Sequence, residues 1–202
     1  MVIRKLIIYI VAILTIFPLV ADAAKKQDGK AILDRVASKI NISKGASMGF
    51  TVTSAKISQS GTITVKGNKF CARTGMATIW YDGKTQWTYN KKTDEVNIAS
   101  PSASQQQSMN PYTFLNLYKQ GYSNTVETKN NDYIVHLVGK GKGISEMYVT
   151  VDKRYNLKQI KLKQGSNWIT ISVSNVKRVS VSDSAFRFNS KEYPKAEIID
   201  LR

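Results

Sequence analysis

The chain has 202 residues, with 30 Lys and Arg against 14 Asp and Glu, a net charge of +16, one cysteine and one histidine. A single Cys excludes an internal disulfide, and one Cys with one His excludes the usual zinc ligand sets. A packed core must therefore hold the fold, and the length suits one domain. The positive surplus suits anionic partners such as head groups or acidic proteins, yet the lysines are scattered as on an ordinary solvated surface.

Residues 1–23 have the form of a signal peptide. Arg4 and Lys5 precede an apolar run from Leu6 to Val20, interrupted by Tyr9, Thr15 and Pro18, and Ala21-Asp22-Ala23 offers small residues for cleavage. A membrane anchor is the alternative, but the run is shorter than the ~20 apolar residues of a spanning helix. Export argues against nucleic acid as a partner and leaves residues 24–202 as one soluble domain. No Cys stands at the cleavage site to be acylated.

The mature region opens on a helix. Asp28 suits its N-cap, Ile32, Leu33, Val36 and Ile40 share one face, and Asn41 and Gly45 end it. From Ser47 the period becomes two. Met48, Phe50 and Val52 alternate with smaller or polar residues, as do Ile63 and Val65, then Ala77, Ile79 and Tyr81, then Trp87 and Tyr89. The pattern resumes at Tyr133, Val135 and Leu137, at Met147, Val149 and Val151, at Ile160 and Leu162, and at Ile169, Ile171 and Val173. Turn chemistry such as Asp82-Gly83 and Lys66-Gly67-Asn68 separates these runs. Ten or eleven antiparallel strands fit, which in so short a chain predicts one strongly curved sheet or a barrel.

One segment breaks the β pattern. Residues 99–109 are rich in Ser and Gln without periodicity, and Asn110-Pro111 then starts a short helix with Phe114, Leu115 and Tyr118 on one face before Gly121. Two readings stand: a lid over the sheet, or a plain helix packed on its edge.

Catalytic and metal chemistry find little footing. His136 lies mid-strand on the face opposite Val135 and Leu137, so a solvent-facing or hydrogen-bonded role is expected of it. Gly139-Lys140-Gly141-Lys142-Gly143 lacks the spacing and the following Ser or Thr of a phosphate loop. Cys71 reads as a buried, inert thiol. No catalytic residue, metal site or cofactor is expected. What remains is an aromatic and apolar interior around Phe50, Phe70, Trp80, Tyr81, Trp87 and Tyr89. It is either an ordinary core or a cavity, since a curved sheet of many strands encloses more volume than one short helix fills.

The run Trp80-Tyr81-Asp82-Gly83-Lys84-Thr85-Gln86-Trp87-Thr88-Tyr89 resembles a signature of LolA-type outer-membrane lipoprotein carriers. Gly61-Thr62-Ile63-Thr64-Val65-Lys66 upstream, Asp94-Glu95-Val96 downstream, and Asn110-Pro111 with Phe114-Leu115 extend the likeness across nearly all of the mature chain. The resemblance implies an incomplete β-barrel of about 11 strands whose apolar cavity is covered by an N-terminal helix and a lid helix. It implies a periplasmic, non-enzymatic, monomeric shuttle for acylated lipoproteins, loaded by an ATP-driven exporter of the inner membrane and emptied at an outer-membrane acceptor or the membrane surface. Phe50, Ile63, Val65, Phe70, Ile79 and Tyr81 would then line the cavity, together with Trp87 and Tyr89. Phe114 and Leu115 would cover it. A one-residue slip in register would exchange the faces.

The family commonly has an Arg that latches the lid in the strand after the Gly61-type glycine; Gly67 stands there in this chain. This departure is closer to the carriers of Bacteroidetes-like bacteria. Two other readings share the scaffold: a module that binds or senses a lipid or glycolipid, and an envelope adaptor with a filled core.

Overall fold

The computed structural model describes residues 27–102, 118–119, 121–139 and 144–202. Helix α1 (Gly29–Ile40) starts where Asp28 accepts a hydrogen bond from the Lys30 N–H at 3.0 Å. It stops at Asn41, a left-handed residue whose N–H donates to the Ala37 carbonyl. Its expected stripe of Ile32, Leu33, Val36 and Ile40 is buried throughout. Each such side chain contributes about 1.5–3 kcal/mol when fully buried, so the packing of this stripe, more than helix propensity, holds the 12-residue helix.

Six strands follow in hairpin sequence: β1 (Ala46–Thr53), β2 (Ser58–Lys66), β3 (Lys69–Thr74), β4 (Ala77–Tyr81), β5 (Gln86–Asn90) and β6 (Glu95–Ala99). A second series comprises β7 (Ser123–Lys129), β8 (Asp132–Val138), β9 (Ile144–Asp152), β10 (Leu157–Gln164) and β11 (Asn167–Arg178). A short β12 (Glu197–Asp200) ends the chain. Turn chemistry sets the hairpins: Asn130 and Asn131 both adopt positive φ, 50° and 63°, which gives the two-residue turn whose twist suits β7 and β8.

All twelve strands form one sheet in the order β12-β6-β5-β4-β3-β2-β1-β11-β10-β9-β8-β7. The pairing of β1 with β11, antiparallel from Ala46 opposite Arg178 to Thr53 opposite Thr170, welds the two hairpin series together. The sheet is curved and unclosed, with β7 and β12 as its edges. The incomplete barrel expected from the sequence is therefore present, with one strand more than the expected eleven. That additional edge strand, β12, pairs parallel to β6 rather than antiparallel. Among the described residues, no helix is long and apolar enough to cross a membrane.

Two apolar clusters lie on opposite faces. The larger one gathers the stripe of α1 with side chains from β1 to β4 and from β8 to β11. The smaller one, on the other face, packs Cys71, Trp80, Trp87 and Tyr89 under a C-terminal segment containing Phe186, Phe188 and Tyr193. Two 3₁₀ turns, Asp183–Phe186 and Ser190–Glu192, shape that segment. Lys66 and Lys69 both hold Asp183, which pins it to the β2–β3 hairpin.

Candidate ligand-binding interior

The helix-covered face of the sheet is the candidate site. Cross-strand pairs build its first wall: Met48 opposite Ile63, Val65 opposite Phe70, Ala72 opposite Ile79, and Phe70 opposite Tyr81. Phe70 and Tyr81 rings meet at 5.5 Å. Phe50 lies opposite Gly61, where a Cβ would come within 2.9 Å of the Phe50 ring, so the glycine makes a seat for it. The second wall is aliphatic, with Val135, Leu137, Met147, Val149, Ile160 and Leu162 all buried.

Six of the eight residues assigned to the cavity wall from the sequence share this face. Ile63, Val65, Phe70 and Tyr81 are buried, and Phe50 and Ile79 are half-buried against them. Trp87 and Tyr89 do not join them. Tyr81 pairs with Gln86, so Trp87 pairs with Trp80 and Tyr89 with Thr78, and both rings pack in the outer cluster. Strand alternation makes this unavoidable, because neighbours along a strand point to opposite faces. The inner positions of β5 are instead Gln86 and Thr88, both half-buried. Phe114 and Leu115, assigned to a covering helix, lie outside the described residues.

Among the described residues, buried side-chain polar atoms without a hydrogen-bond partner occur in this wall at one place. Tyr81 is 4% exposed and its hydroxyl is buried without a hydrogen-bond partner. Beside it, Gln86 donates through Nε2 to Thr88 Oγ1 at 3.0 Å, which leaves its buried Oε1 unpaired. Burial, followed by the nearby Asp82 charge, pushes the Tyr81 phenol above its ordinary pKa.

Ties at its surface hold α1 over the wall. The Gly29 N–H donates to Asn124 Oδ1 on β7 at 3.0 Å, and Arg178 on β11 donates to the carbonyls of Ser38 and Lys39. Midway, Asp34 accepts from the Tyr118 hydroxyl and pairs with Lys119 at 3.6 Å, and Arg35 reaches the Tyr155 hydroxyl at 2.6 Å. Burial and then the Asp34 hydrogen bond keep the Tyr118 phenol well above its ordinary pKa. A cleft of 260 Å³ opens at the C-terminal end of the helix, between Ile40, Tyr155, Leu157 and Arg178.

Gly67, which the resemblance sets at the latch position, is an exposed turn residue with φ 59°, and a Cβ there would touch nothing within 4 Å. Cys71 is buried at 2% exposure, and desolvation raises its thiol pKa, as an inert thiol requires. His136 lies on the outer face, with Nε2 3.0 Å from Glu146 Oε1 and its ring stacked on Tyr148. Among the described residues, no three His, Cys, Asp or Glu side chains are placed to hold a metal ion.

A family model described as "Outer membrane lipoprotein carrier protein LolA" matches residues 19–166. Among curated proteins none matches in sequence. Of solved structures, an uncharacterized conserved protein from Thermus thermophilus is 14% identical with a TM-score of 0.57, covering 86% of this chain and 99% of its own. A LolA superfamily protein from Nitrosomonas europaea is 9% identical at TM-score 0.44, over 79% of this chain and 97% of its own. The MucB/MucA complex of Pseudomonas aeruginosa gives 8% identity and TM-score 0.44, over 82% of this chain and 62% of the matched one.

Proposed function

The chain belongs to the LolA family of outer membrane lipoprotein carrier proteins, and on that premise we propose that it shields the acyl chains of lipoproteins between α1 and the inner face of its sheet. It carries them from the inner to the outer membrane. The observation that supports this most is the inner face itself: an apolar wall drawn from both halves of an open sheet and roofed, among the described residues, by one helix and Tyr118.

The energetics favour such a device. At about 0.8 kcal/mol per methylene, a long acyl chain in water costs on the order of 10 kcal/mol, so free diffusion between membranes is negligible. A carrier must also release what it binds, and the roof suits that need. The polar ties of α1 are mostly exposed and cost little to break, and an acyl chain entering beneath the helix would take over the apolar contacts of its stripe. Residues 1–23 act as a cleaved leader, and the untethered domain 24–202 crosses the periplasm as a monomer. It is loaded by an ATP-driven exporter and unloaded at an acceptor or at the outer membrane surface. The positive surplus, +16 over the whole chain and nearly all of it in residues 24–202, suits the anionic surroundings of both membranes.

The test is direct. Residues 24–202, mixed with a triacylated lipoprotein in the absence of detergent, should form a soluble one-to-one complex on size-exclusion chromatography; no complex would sink the reading. Mass spectrometry of co-purified lipids separates it from a sensor of free lipid or glycolipid, which predicts free lipid alone.

A further inference from the structure

We propose that Tyr81 and Gln86 together form a polar anchor for an acyl chain joined through a secondary amide. The Tyr81 hydroxyl donates to the amide carbonyl, and Gln86 Oε1 accepts from the amide N–H. The proposal rests on the reading of the inner face as an acyl-chain site.

Three observations carry it. First, both atoms are buried and unpaired, although a buried unsatisfied polar group costs about as much as a hydrogen bond gains and is rare in native proteins. Second, the two groups are complementary in hydrogen bonding and stand on neighbouring residues. Tyr81 and Gln86 are cross-strand partners on one face, so their Cβ atoms lie roughly 5 Å apart, and one offers a donor while the other offers only an acceptor. Thr88 Oγ1 accepts from Gln86 Nε2, which leaves Oε1 as the unpaired end of the carboxamide. Third, the surroundings are apolar: Phe70 packs on the Tyr81 ring, and Ile79 lies two residues along the same face. A ligand satisfying this site needs a hydrocarbon chain ending in a group that both accepts and donates. An ester accepts but has no proton to give; a secondary amide does both.

The experiment uses residues 24–202 loaded with an environment-sensitive apolar dye, displaced by N-methyldecanamide or by methyl decanoate. The two probes share chain length and shape and differ in N–H against O. Wild type should prefer the amide about tenfold, the factor expected of one net hydrogen bond. Gln86→Leu should erase that preference and leave ester affinity unchanged. Tyr81→Phe should weaken both probes by a similar factor while raising the Tm of the free protein by a few degrees, because it removes an orphaned hydroxyl. A residue serving only the core would show the same change in Tm but leave the affinity of both probes unchanged.

Equal displacement by the two probes overturns the anchor, as would follow if one water bridged the pair, and it leaves the carrier reading standing. Failure of the dye to bind at all overturns both. An N-acylated lipopeptide and an N-acylethanolamine distinguish a lipoprotein source from a free lipid. Loss of affinity for either one in Gln86→Leu supports the anchor, and loss for neither overturns it.

Discussion

At Gly29 a Cβ would lie 2.6 Å from Asn124 Oδ1 and 2.7 Å from Val135 Cγ1, so the first turn of α1 reaches β7 and β8 only because that side chain is missing. The same closeness lets the Gly29 N–H reach Asn124, which satisfies one of the unpaired donors at a helix N-terminus. Gly29→Ala gains helix propensity but must push the helix away from the sheet. We expect the overpacking to win by about 1–3 kcal/mol. In a chain of this size that lowers Tm by roughly 2–4 °C per kcal/mol, measurable by calorimetry. At Tyr81 and Gln86 the balance runs the other way, with atoms left wanting partners in a well-packed wall. Packing at the first position serves the fold; the unmet polarity at the second serves a ligand.

Helix α1 is held at both ends, at the C-terminal one by Arg178 and by Lys39, whose Nζ donates to the Arg154 carbonyl at 2.8 Å. Arg178 from β11 caps the Ser38 and Lys39 carbonyls beside the cleft of 260 Å³. Arg178→Ala should lower Tm by about 2–4 °C, the shift for about 1 kcal/mol, and increase uptake of an apolar dye at a given concentration. Unchanged uptake would show that the helix does not open from that end. The helix was legible in the sequence because its cap at Asp28 and its stripe from Ile32 to Ile40 are local signals. Phe50, Ile63 and Val65 were legible because apolar residues alternate along β1 and β2. β5 was not: the turn from Asp82 to Thr85 sets Tyr81 opposite Gln86, and the pattern of the sequence does not reveal that register. That register moved Trp87 and Tyr89 to the outer face and brought Gln86 and Thr88 to the inner one. β12 gave no signal at all: its four residues pair with a strand a hundred positions earlier.

Across the whole molecule, the outer cluster depends on its C-terminal cover, and that cover depends on charge. Hydrogen bonds from Lys69 and then Lys66 hold the Asp183 carboxyl below its ordinary pKa. A carboxylate with a lowered folded-state pKa contributes stability that is complete above the unfolded value, about 4, and is lost as pH falls through the folded one. Glu146, held low chiefly by the Tyr148 hydroxyl, has the same sign, and Asp200, tied to Arg202, lies at about 2. Tm should therefore be flat above pH 5 and fall toward pH 2. Asp183→Asn should start lower and fall less steeply, with tryptophan fluorescence shifting red as Trp80 and Trp87 lose their cover; a profile identical to wild type would remove Asp183 from this account.

The pairing of β1 with β11 also bears on how the chain reaches this structure. Ala46 lies opposite Arg178, so the strand that joins the two halves is among the last to be made. Before Asn167–Arg178 is available, β1 and β10 are both bare edges, and the inner cluster lacks its central seam. Contacts this distant in sequence fold slowly, since the loop entropy is lost before the pairing compensates for it. The inner cluster of such a chain can close only after β11 has joined β1 to β10, whatever local hairpins form first.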